Sequence, residues 1–415
     1  MRKEDNPFAP GAGTQPPELV GREVVLEDGG VAIARALKGR PARSQIFYGL
    51  RGVGKTVLLR RLSELAVNRG AIVADLETPE DKRLEEILVP ELRQALIQLN
   101  SLEGAKAAIK SAAGALQAFG SKFKVKVGPV GVEVKEPKGV ADSGSLEKDV
   151  GELFVKVGEA AKAQETAIVL ALDEMQYLSK GELSALLTAI HKTNQKQLPI
   201  LLFGAGLPQL LGLAGDAKSY AERLIEFVEI GALSDEEARK AVRDPIVAEG
   251  AQISPAALTY IVERSKGYPY FIQEWGYRTW NAAQKSPITK EDALTAEQVT
   301  IKSLDKSFFR VRFDQLTKSE QDYLRAMAEL GPGPHKSGEV AKLLGKKATQ
   351  AGPVRSQVIA KGMAYGGQYG HVHFSVPIFD EFLKREIPEF KAKPPKKAVA
   401  KPKPATKKMP KKRGK

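Results

Sequence analysis

The chain has 415 residues, of which 42% are hydrophobic, and it contains no cysteine. This length can bury a sizeable core and suggests two or three domains. The lack of cysteine excludes disulfides, thiolate metal sites and thiol nucleophiles, and it agrees with an intracellular setting. The longest apolar region, 198–215, is interrupted by Pro208, Gln209 and several glycines, and the N-terminus has no apolar secretory core. We therefore predict a cytoplasmic protein without a membrane segment.

The formal net charge of +14 is concentrated at one end of the chain. Residues 391–415 contain eleven lysines, one arginine and no acidic residue, which leaves a net charge of +2 for residues 1–390. The prolines of this tail and its near absence of large apolar groups predict disorder. Such a tail binds the phosphate backbone of DNA or RNA without reading sequence, or it serves for solubility or targeting.

Alternating strands and helices follow a flexible leader over residues 1–16. The stretches "SQIFYGL" and "AIVADLE" predict strands on either side of the helix "TVLLRRLSELAVNRG". A helical stretch over 82–118 leads to "KFKVKVGPVGVEVKE", whose alternation predicts a β-hairpin insert at about 121–136. The lysines of this ribbon form its solvated face or a nucleic-acid surface.

The same alternation continues towards residue 232. A helix over 145–163 precedes the buried strand in "TAIVLALDEMQYL", and a helix over 180–194 precedes the strand "PILLFGAG". Continuous apolar runs are typical of parallel strands that are buried on both faces. The order predicts right-handed βαβ units and an α/β core with a mostly parallel sheet over 17–232.

Helices dominate the remainder of the chain. Ser234 and Thr317 each precede a glutamate by three residues, which is the spacing of a capping box at a helix start. We predict a helical bundle over 233–310. In the block 311–390, three short helices followed by the alternating strand "HVHFSV" predict a winged helix.

The stretch "GLRGVGKT" fits the phosphate-loop pattern G-x-x-x-x-G-K-[ST] between a predicted strand and a predicted helix. Its glycines allow backbone N–H groups and the helix N-terminus to point at phosphates. Lys55 adds a positive charge near the outer phosphates, and Thr56 would hold Mg²⁺. The predicted nucleotide-binding residues of this loop are Gly49, Arg51, Gly52, Val53, Gly54, Lys55 and Thr56.

A pair of acids in "IVLALDEMQ" supplies the second half of the predicted site. Asp173 stands at the carboxyl end of a buried strand, where ligands of open α/β sheets bind, and it suits the Mg²⁺ shell. Glu174 follows directly and could orient and polarise the attacking water as the catalytic residue.

With these two motifs in place, most of residues 17–388 resembles the AAA+ ATPases, in the branch with origin-recognition-like and STAND-like ATPase domains. The resemblance implies a P-loop NTPase core, a helical lid and a C-terminal winged helix, with ATP and Mg²⁺ as cofactors. "PPELVGRE" resembles the family's motif near the adenine, and "SKGYPYFIQEWG" resembles its glycine-x-proline lid motif. The nucleotide contacts implied by these two motifs are Leu19, Val20, Gly21, Arg22, Gly267 and Pro269.

The stretch around Arg223 resembles the family's segment before the last core strand, where relatives have an arginine that senses the terminal phosphate. Arg223 has this catalytic role or forms a surface salt bridge; acting across subunits, it would make ATP promote homo-oligomers. Relatives often carry a polar residue after the fourth core strand, where residues 204–206 are only glycine and alanine. The lid motif also lacks the arginine of many relatives. We therefore expect ATP binding with slow hydrolysis.

Two functions remain open from the sequence. In the first, the winged helix and basic tail bind DNA under nucleotide control, with the helix at about 353–365 in the major groove and a location at the nucleoid. The candidate DNA contacts are Lys346, Lys347, Arg355, Gln357 and Lys361. In the second, the protein is a STAND-like signalling or defence switch whose winged helix binds a protein partner.

Overall fold

A computed structural model describes residues 1–11, 16, 19–102, 104–132, 139–218, 221–366 and 370–392. The chain divides into two compact units. The first comprises Met1–Val311 with Ser375–Pro377, and the second comprises Arg312–Phe374 with the residues from Ile378 onward. The basic tail predicted to be disordered lies, from residue 393, outside the described residues. The finer division at residues 232 and 310 remains a prediction.

The first unit is built around a five-stranded sheet in which all four strand pairings are parallel. The strand order is β2-β3-β4-β1-β5. β3 and β4 are buried almost throughout, as their continuous apolar sequences predicted. The strands are β1 (Ser44–Tyr48), β2 (Ile72–Glu77), β3 (Ile168–Asp173), β4 (Ile200–Gly206) and β5 (Ile225–Glu229).

Eight helices accompany this sheet in the described part of residues 19–224. Apolar side chains from β1 to β4 and from the long helices that follow β2 and surround β3 form one continuous core. The helices are α1 (Glu23–Leu37), α2 (Lys55–Asn68), α3 (Leu84–Ser101), α4 (Lys106–Phe123), α5 (Leu146–Ala163), α6 (Lys180–Gln195), α7 (Leu210–Ala217) and α8 (Ala221–Leu224).

The hairpin predicted at about 121–136 is wrong over the residues that the structure describes. Helix α4 continues to Phe123, and residues 124–132 form no strand; residues 133–138 lie outside the described part. Tertiary contacts hold this segment instead of strand pairing. Arg93 of α3 donates two hydrogen bonds to the carbonyl of Pro129, at 3.0 and 2.8 Å. The valines of this segment pack against the core instead of pairing across a ribbon.

The remainder of the first unit is helical, as predicted. Ser234 forms the predicted capping box with Glu237, and Ser254 accepts a hydrogen bond from the backbone of Ala257 at the next helix start. The helices are α9 (Asp235–Ala248), α10 (Pro255–Ser265), α11 (Pro269–Ala282), α12 (Lys290–Ser303) and a π-helical turn (Leu304–Phe309); α13 (Arg310–Phe313) begins in the first unit and ends in the second.

The first residues of the predicted flexible leader pack against α11. Phe8 is only 2% exposed, and an added Cβ at Gly276 would meet its ring at 2.5 Å. The indole N–H of Trp280 donates to the carbonyl of Arg2 at 2.9 Å, and the amide of Asn6 donates to the carbonyl of Tyr277 at 2.9 Å. The burial of an aromatic ring explains why this polar-looking segment has a defined conformation.

The second unit combines helices with a three-stranded antiparallel sheet in the order β6-β8-β7. The helix predicted at about 353–365 instead spans 348–360, because Gly362 has a positive φ of 65° and β7 follows it. The elements are α14 (Lys318–Glu329), β6 (His335–Lys336), α15 (Ser337–Leu343), α16 (Ala348–Ala360), β7 (Ala364–Gly366), β8 (His371–Phe374) and α17 (Phe379–Glu386).

Among the described helices of both units, none combines the length and the apolar character that crossing a membrane requires.

Candidate functional site

The loop between β1 and α2 has the backbone conformation that its glycines allow. Gly52 and Gly54 have φ values of 84° and 92°, in the left-handed region that favours glycine. Gly49 has another reason to be glycine, since a Cβ there would lie 2.0 Å from the carbonyl oxygen of Ile230. The loop therefore bends closely over the carboxyl ends of the strands and leads directly into the N-terminus of α2.

The carbonyl groups of residues 49–53 in this loop each accept a hydrogen bond. Since the C=O and N–H of a trans peptide point in opposite directions, the following N–H groups point away from these partners, as anion binding requires. The donors are Lys55 Nζ to Gly49 at 3.0 Å and to Leu50 at 2.8 Å, the Tyr268 hydroxyl to Arg51, the Tyr270 backbone N–H to Gly52 at 3.2 Å, and Arg22 Nη2 to Val53 at 3.4 Å.

The ammonium group of Lys55 lies close to both predicted acids. Burial lowers the pKa of Lys55 to about 8, while the carboxylates of Glu174 and Asp173 act in the opposite direction. Arg51 also lowers this pKa. Lys55 therefore loses its charge as the pH rises through about 8.

Thr56 and Asp173 meet at the centre of the site. The hydroxyl of Thr56 donates to Oδ2 of Asp173 at 2.6 Å. Burial raises the pKa of Asp173, and the hydrogen bonds from Thr56 and from the backbone N–H of Glu174 oppose this shift. A hydroxyl and a carboxylate are hard oxygen donors that fit Mg²⁺, which commonly takes few protein ligands and completes its shell with phosphate oxygens and water. The described residues contain no cluster of three or more His, Cys, Asp or Glu that could hold a metal.

Glu174 has a left-handed backbone, with a φ of 55°, and precedes the 3₁₀ turn Met175–Tyr177. Unusual backbone conformations of non-glycine residues are concentrated at functional sites. Oε2 of Glu174 accepts a hydrogen bond from Nε2 of Gln176 in this turn. Sequence reasoning missed Gln176. The signal for it was indirect, because the glycines of β4 leave room for a side chain from this turn.

Of the residues that the adenine-side motif implied, Arg22 contacts the phosphate loop, through its hydrogen bond to the carbonyl of Val53. Arg22 donates to the carbonyl of Gly231 at 2.6 Å, in addition to its hydrogen bond to the loop. Burial lowers the pKa of Arg22, and Glu237 raises it. Gly21 has a φ of 73°, and Leu19 and Val20 are half-buried. The N-terminal motif thus contributes an arginine that links the loop to the residues after β5.

The lid motif contacts the phosphate loop through tyrosines. Gly267 accepts a hydrogen bond from the backbone N–H of Leu233 at 2.8 Å, and Pro269 is the first residue of α11. These two residues shape the turn, while Tyr268 and Tyr270 provide the loop contacts described above. The ring of Tyr270 also stacks on Phe308 of the π-helical turn, with 4.7 Å between ring centroids.

Arg223 lies away from the other predicted catalytic residues of its own chain. It is exposed and precedes β5, whose first residue, Ile225, pairs with Ser44 at the start of β1. The phosphate loop follows the opposite end of β1, after Tyr48. Four to five residues of strand separate the two ends, which corresponds to roughly 15 Å. The structure does not bring Arg223 together with Lys55.

The candidate DNA contacts fall into two groups. Lys346, Lys347 and Gln357 are exposed at and near α16. Arg355 donates to the carbonyl of His371 at 3.2 Å. Nζ of Lys361 donates to the carbonyl of Gln315 at 2.9 Å and to the buried carboxylate of Glu320 at 2.8 Å. The second group therefore already stabilises the second unit.

Comparisons with known families agree with this geometry. Residues 18–203 match the family model described as AAA ATPase domain. Residues 306–383 match a model described as a domain of unknown function (DUF8462). No curated protein sequence matches the chain.

The chain is similar in fold to a Walker-type ATPase of Pyrococcus abyssi, with 16% identity, a TM-score of 0.55, and coverage of 89% of this chain and 97% of that one. The RuvB Holliday junction branch migration motor of Thermotoga maritima is 17% identical, with a TM-score of 0.46 and coverage of 90% and 99%. The Aeropyrum pernix ORC1 protein, solved with DNA, is 16% identical, with a TM-score of 0.44 and coverage of 89% and 94%. The sheet and the loop define an α/β fold of the P-loop NTPase (AAA+) type, and the match to the AAA ATPase domain model covers residues 18–203 of the chain.

Replacing Lys55 with alanine removes the charge that is predicted to face the outer phosphates. We expect the Lys55→Ala variant to lose ATP affinity on the order of 100-fold, since hydrogen bonds to charged groups contribute up to about 3 kcal/mol. Isothermal titration with Mg·ATP measures this, and Lys110→Ala, at an exposed lysine of α4, is the matched control. Equal ATP affinity in Lys55→Ala and the control would contradict the assignment.

The low pKa of Lys55 predicts a pH dependence of ATP affinity. The ammonium form binds phosphate, so affinity is highest below pH 8 and weakens as the pH rises through 8, by up to about tenfold per pH unit. Titrations at pH 7 and pH 9 measure the loss. The variant Lys55→Arg keeps its charge over this range, and an equally large loss in that variant would assign the effect to another group.

Proposed function

We propose that this protein binds and slowly hydrolyses Mg·ATP and uses the nucleotide state to control its binding to DNA. The observation that carries the first part is the convergence of Lys55, Thr56, Asp173 and Glu174 at one edge of the sheet, through the hydrogen bond between Thr56 and Asp173. The phosphate loop, whose N–H groups point away from the partners of its carbonyls, leads into the N-terminus of α2 beside them.

The residues of the site divide the work. The backbone N–H groups of the loop and Lys55 bind the phosphates, while Thr56 and Asp173 hold Mg²⁺, which neutralises phosphate charge when bound. Glu174 orients the attacking water. Slow turnover follows from β4, since Gly204 and Gly206 bring no polar side chain to the phosphates. Arg51, a residue of the phosphate loop, provides a further positive charge from the same chain near the phosphates, and its guanidinium donates to the Tyr177 hydroxyl at 3.1 Å.

Arg223 completes the site from a neighbouring copy. Its exposure and its place at the opposite edge of the sheet leave the nucleotide of another chain as its target. An arginine supplied across an interface stabilises the charge of the phosphoryl-transfer transition state. This proposal makes the homo-oligomer the form that hydrolyses ATP.

The second unit supports the DNA part of the proposal. Its order of helices and antiparallel strands, β6-β8-β7 with α14 to α16, supports the proposal that it is a winged helix. Residues 336–361 contain six basic residues and one acidic residue, so the charge lies on the part of this unit that would meet DNA. Lys346, Lys347 and Gln357 are the exposed candidates, and the basic tail adds contacts to the DNA backbone.

Residues 304–313 run along the chain from the nucleotide-binding unit into this unit. Phe308 stacks on Tyr270, whose backbone binds the phosphate loop at Gly52. Phe313, five residues further along, packs within the second unit against Phe382, with 5.6 Å between ring centroids. A change at the loop therefore has a short route along the chain to the proposed DNA-binding unit.

One observation favours the STAND-like alternative, in which this unit binds a protein. Arg355 and Lys361 are held by His371, Gln315 and Glu320, and this leaves fewer cations for DNA. In that case the tail would be incidental to the winged helix, and only the tail would bind DNA.

The ATPase part predicts distinct outcomes for two variants. Glu174→Gln retains ATP binding but keeps only a slow residual turnover, because an amide cannot polarise the water as a carboxylate does. Arg223→Ala leaves ATP affinity unchanged but lowers turnover at high protein concentration, by on the order of 1,000-fold for a transition-state arginine. Phosphate release and solution mass with ATP and ADP measure both. A wild-type protein that remains monomeric with ATP at every concentration would overturn the role of Arg223.

The DNA part is tested with residues 1–390, which lack the tail. We expect this protein to bind duplex DNA with an affinity that falls with salt and differs between ATP and ADP, with Glu174→Gln holding the ATP form. Lys346→Ala combined with Lys347→Ala should weaken binding and reduce the slope against log salt by about two. Fluorescence anisotropy measures both, with Lys318→Ala as the control. Loss of all DNA binding on removal of the tail supports the protein-binding alternative.

A further inference from the structure

The turn after β3 contains a side-chain amide that bridges two parts of the site. Nε2 of Gln176 donates to Oε2 of Glu174, and Oε1 of Gln176 accepts a hydrogen bond from the backbone N–H of Leu207 at 3.0 Å. Leu207 directly follows β4. Gln176 therefore connects the proposed catalytic acid to the strand end that lacks a polar side chain of its own.

The orientation of this amide is determined by its partners. A backbone N–H can only donate, so the amide oxygen of Gln176 must face Leu207. The amide NH₂ group must then face the carboxylate of Glu174, which can only accept when ionised. The bridge therefore has one arrangement of donors and acceptors, in which the amide of Gln176 donates to the carboxylate of Glu174.

The glycines of β4 are explained by this turn. A Cβ at Gly206 would lie 3.1 Å from Oε1 of Gln176, and a Cβ at Gly204 would lie 2.2 Å from the sulfur of Met175. Two consecutive residues of the turn thus occupy the space that side chains at these β4 positions would need. A side chain at Gly204 or Gly206 would therefore crowd the turn that carries Gln176.

The same strand end also holds the phosphate loop. The carbonyl of Gly206 accepts a hydrogen bond from the backbone N–H of Gly49, the first residue of the loop, at 3.2 Å. Through Gln176, Leu207 and Gly206, the carboxylate of Glu174 is therefore positioned relative to the loop by a chain of hydrogen bonds.

We infer that Gln176 is a positioning residue for ATP hydrolysis. It lies on the turn after β3 and occupies the place that a polar side chain on β4 would have. The inference rests on the proposed ATPase function. Gln176 holds Oε2 of Glu174, and the left-handed backbone at Glu174 sets the direction of the side chain. An ionised carboxylate accepts several hydrogen bonds, so the other oxygen, Oε1, can orient the attacking water.

Three variants of the full chain separate positioning from packing. Gln176→Leu removes the bridge. Gln176→Glu keeps the shape of the side chain and the acceptor for the N–H of Leu207, but it loses the donor and places a second carboxylate next to that of Glu174. We expect both to lower kcat on the order of 10- to 100-fold, as small misplacements of catalytic groups do, with KM and the ATP Kd within about twofold of wild type. The control is Gln195→Leu, at an exposed glutamine that ends α6.

A second readout shows whether Gln176 acts through Glu174. In single-turnover measurements, Gln176→Leu added to Glu174→Gln should slow hydrolysis no further, because the group to be positioned is already altered. Lowering the pH should also bring Gln176→Glu closer to wild type, since a protonated carboxyl can donate as the amide does. A packing role predicts instead that the isosteric Gln176→Glu has normal activity at every pH.

The outcomes distinguish this inference from the proposed function. If the wild-type protein does not hydrolyse Mg·ATP at all, the proposed function fails and the role of Gln176 fails with it. If the wild type hydrolyses ATP and both Gln176→Leu and Gln176→Glu hydrolyse it at the same rate, only the inference fails. The inference alone also fails if Gln176→Leu slows hydrolysis by the same factor in the Glu174→Gln protein as in the wild-type protein. Retained ATP affinity in the Gln176 variants shows that they are folded.

Discussion

The hydrogen bond between Thr56 and Asp173 is the contact on which the site depends. It joins two residues 117 positions apart, at the start of α2 and the end of β3. They can meet because β1 and β3 are both parallel to β4, so that their carboxyl ends share one edge of the sheet. Burying Asp173 is costly without partners, and the hydroxyl of Thr56 is one of the groups that offset this cost.

The phosphate loop receives its shape from three separate parts of the chain. Lys55 comes from the loop itself, Arg22 from the segment before α1, and Tyr268 and Tyr270 from the start of α11. Each of these groups binds a carbonyl, and together they cap residues 49–53. The loop conformation therefore depends on contacts with both the N-terminal motif and the lid motif, which gives a physical basis for proposing that the nucleotide and the rest of the chain affect each other.

Local patterns predicted much of the fold and the centre of the site. The strands and helices of the core and the capping boxes at Ser234 and Thr317 were confirmed, because short-range hydrogen bonds and apolar periodicity determine them. The hairpin at 121–136 was wrong over its described part, where Arg93 binds the carbonyl of Pro129 and the valines pack against the core. The helix at 353–365 was displaced because it starts earlier and ends before Gly362.

The sequence by itself determined that a glycine loop ending in Lys55 and Thr56 precedes a helix, and that Asp173 and Glu174 end a buried strand. These features are readable because each depends on neighbours along the chain. Only the tertiary structure decided that Gln176 bridges Glu174 to the end of β4, and that Tyr268 and Tyr270 hold the loop. It also decided that Arg223 lies at the far edge of the sheet. These contacts depend on the order of the strands in the sheet and on side chains that fill the space beside glycines. Both bring together residues that are far apart in the sequence.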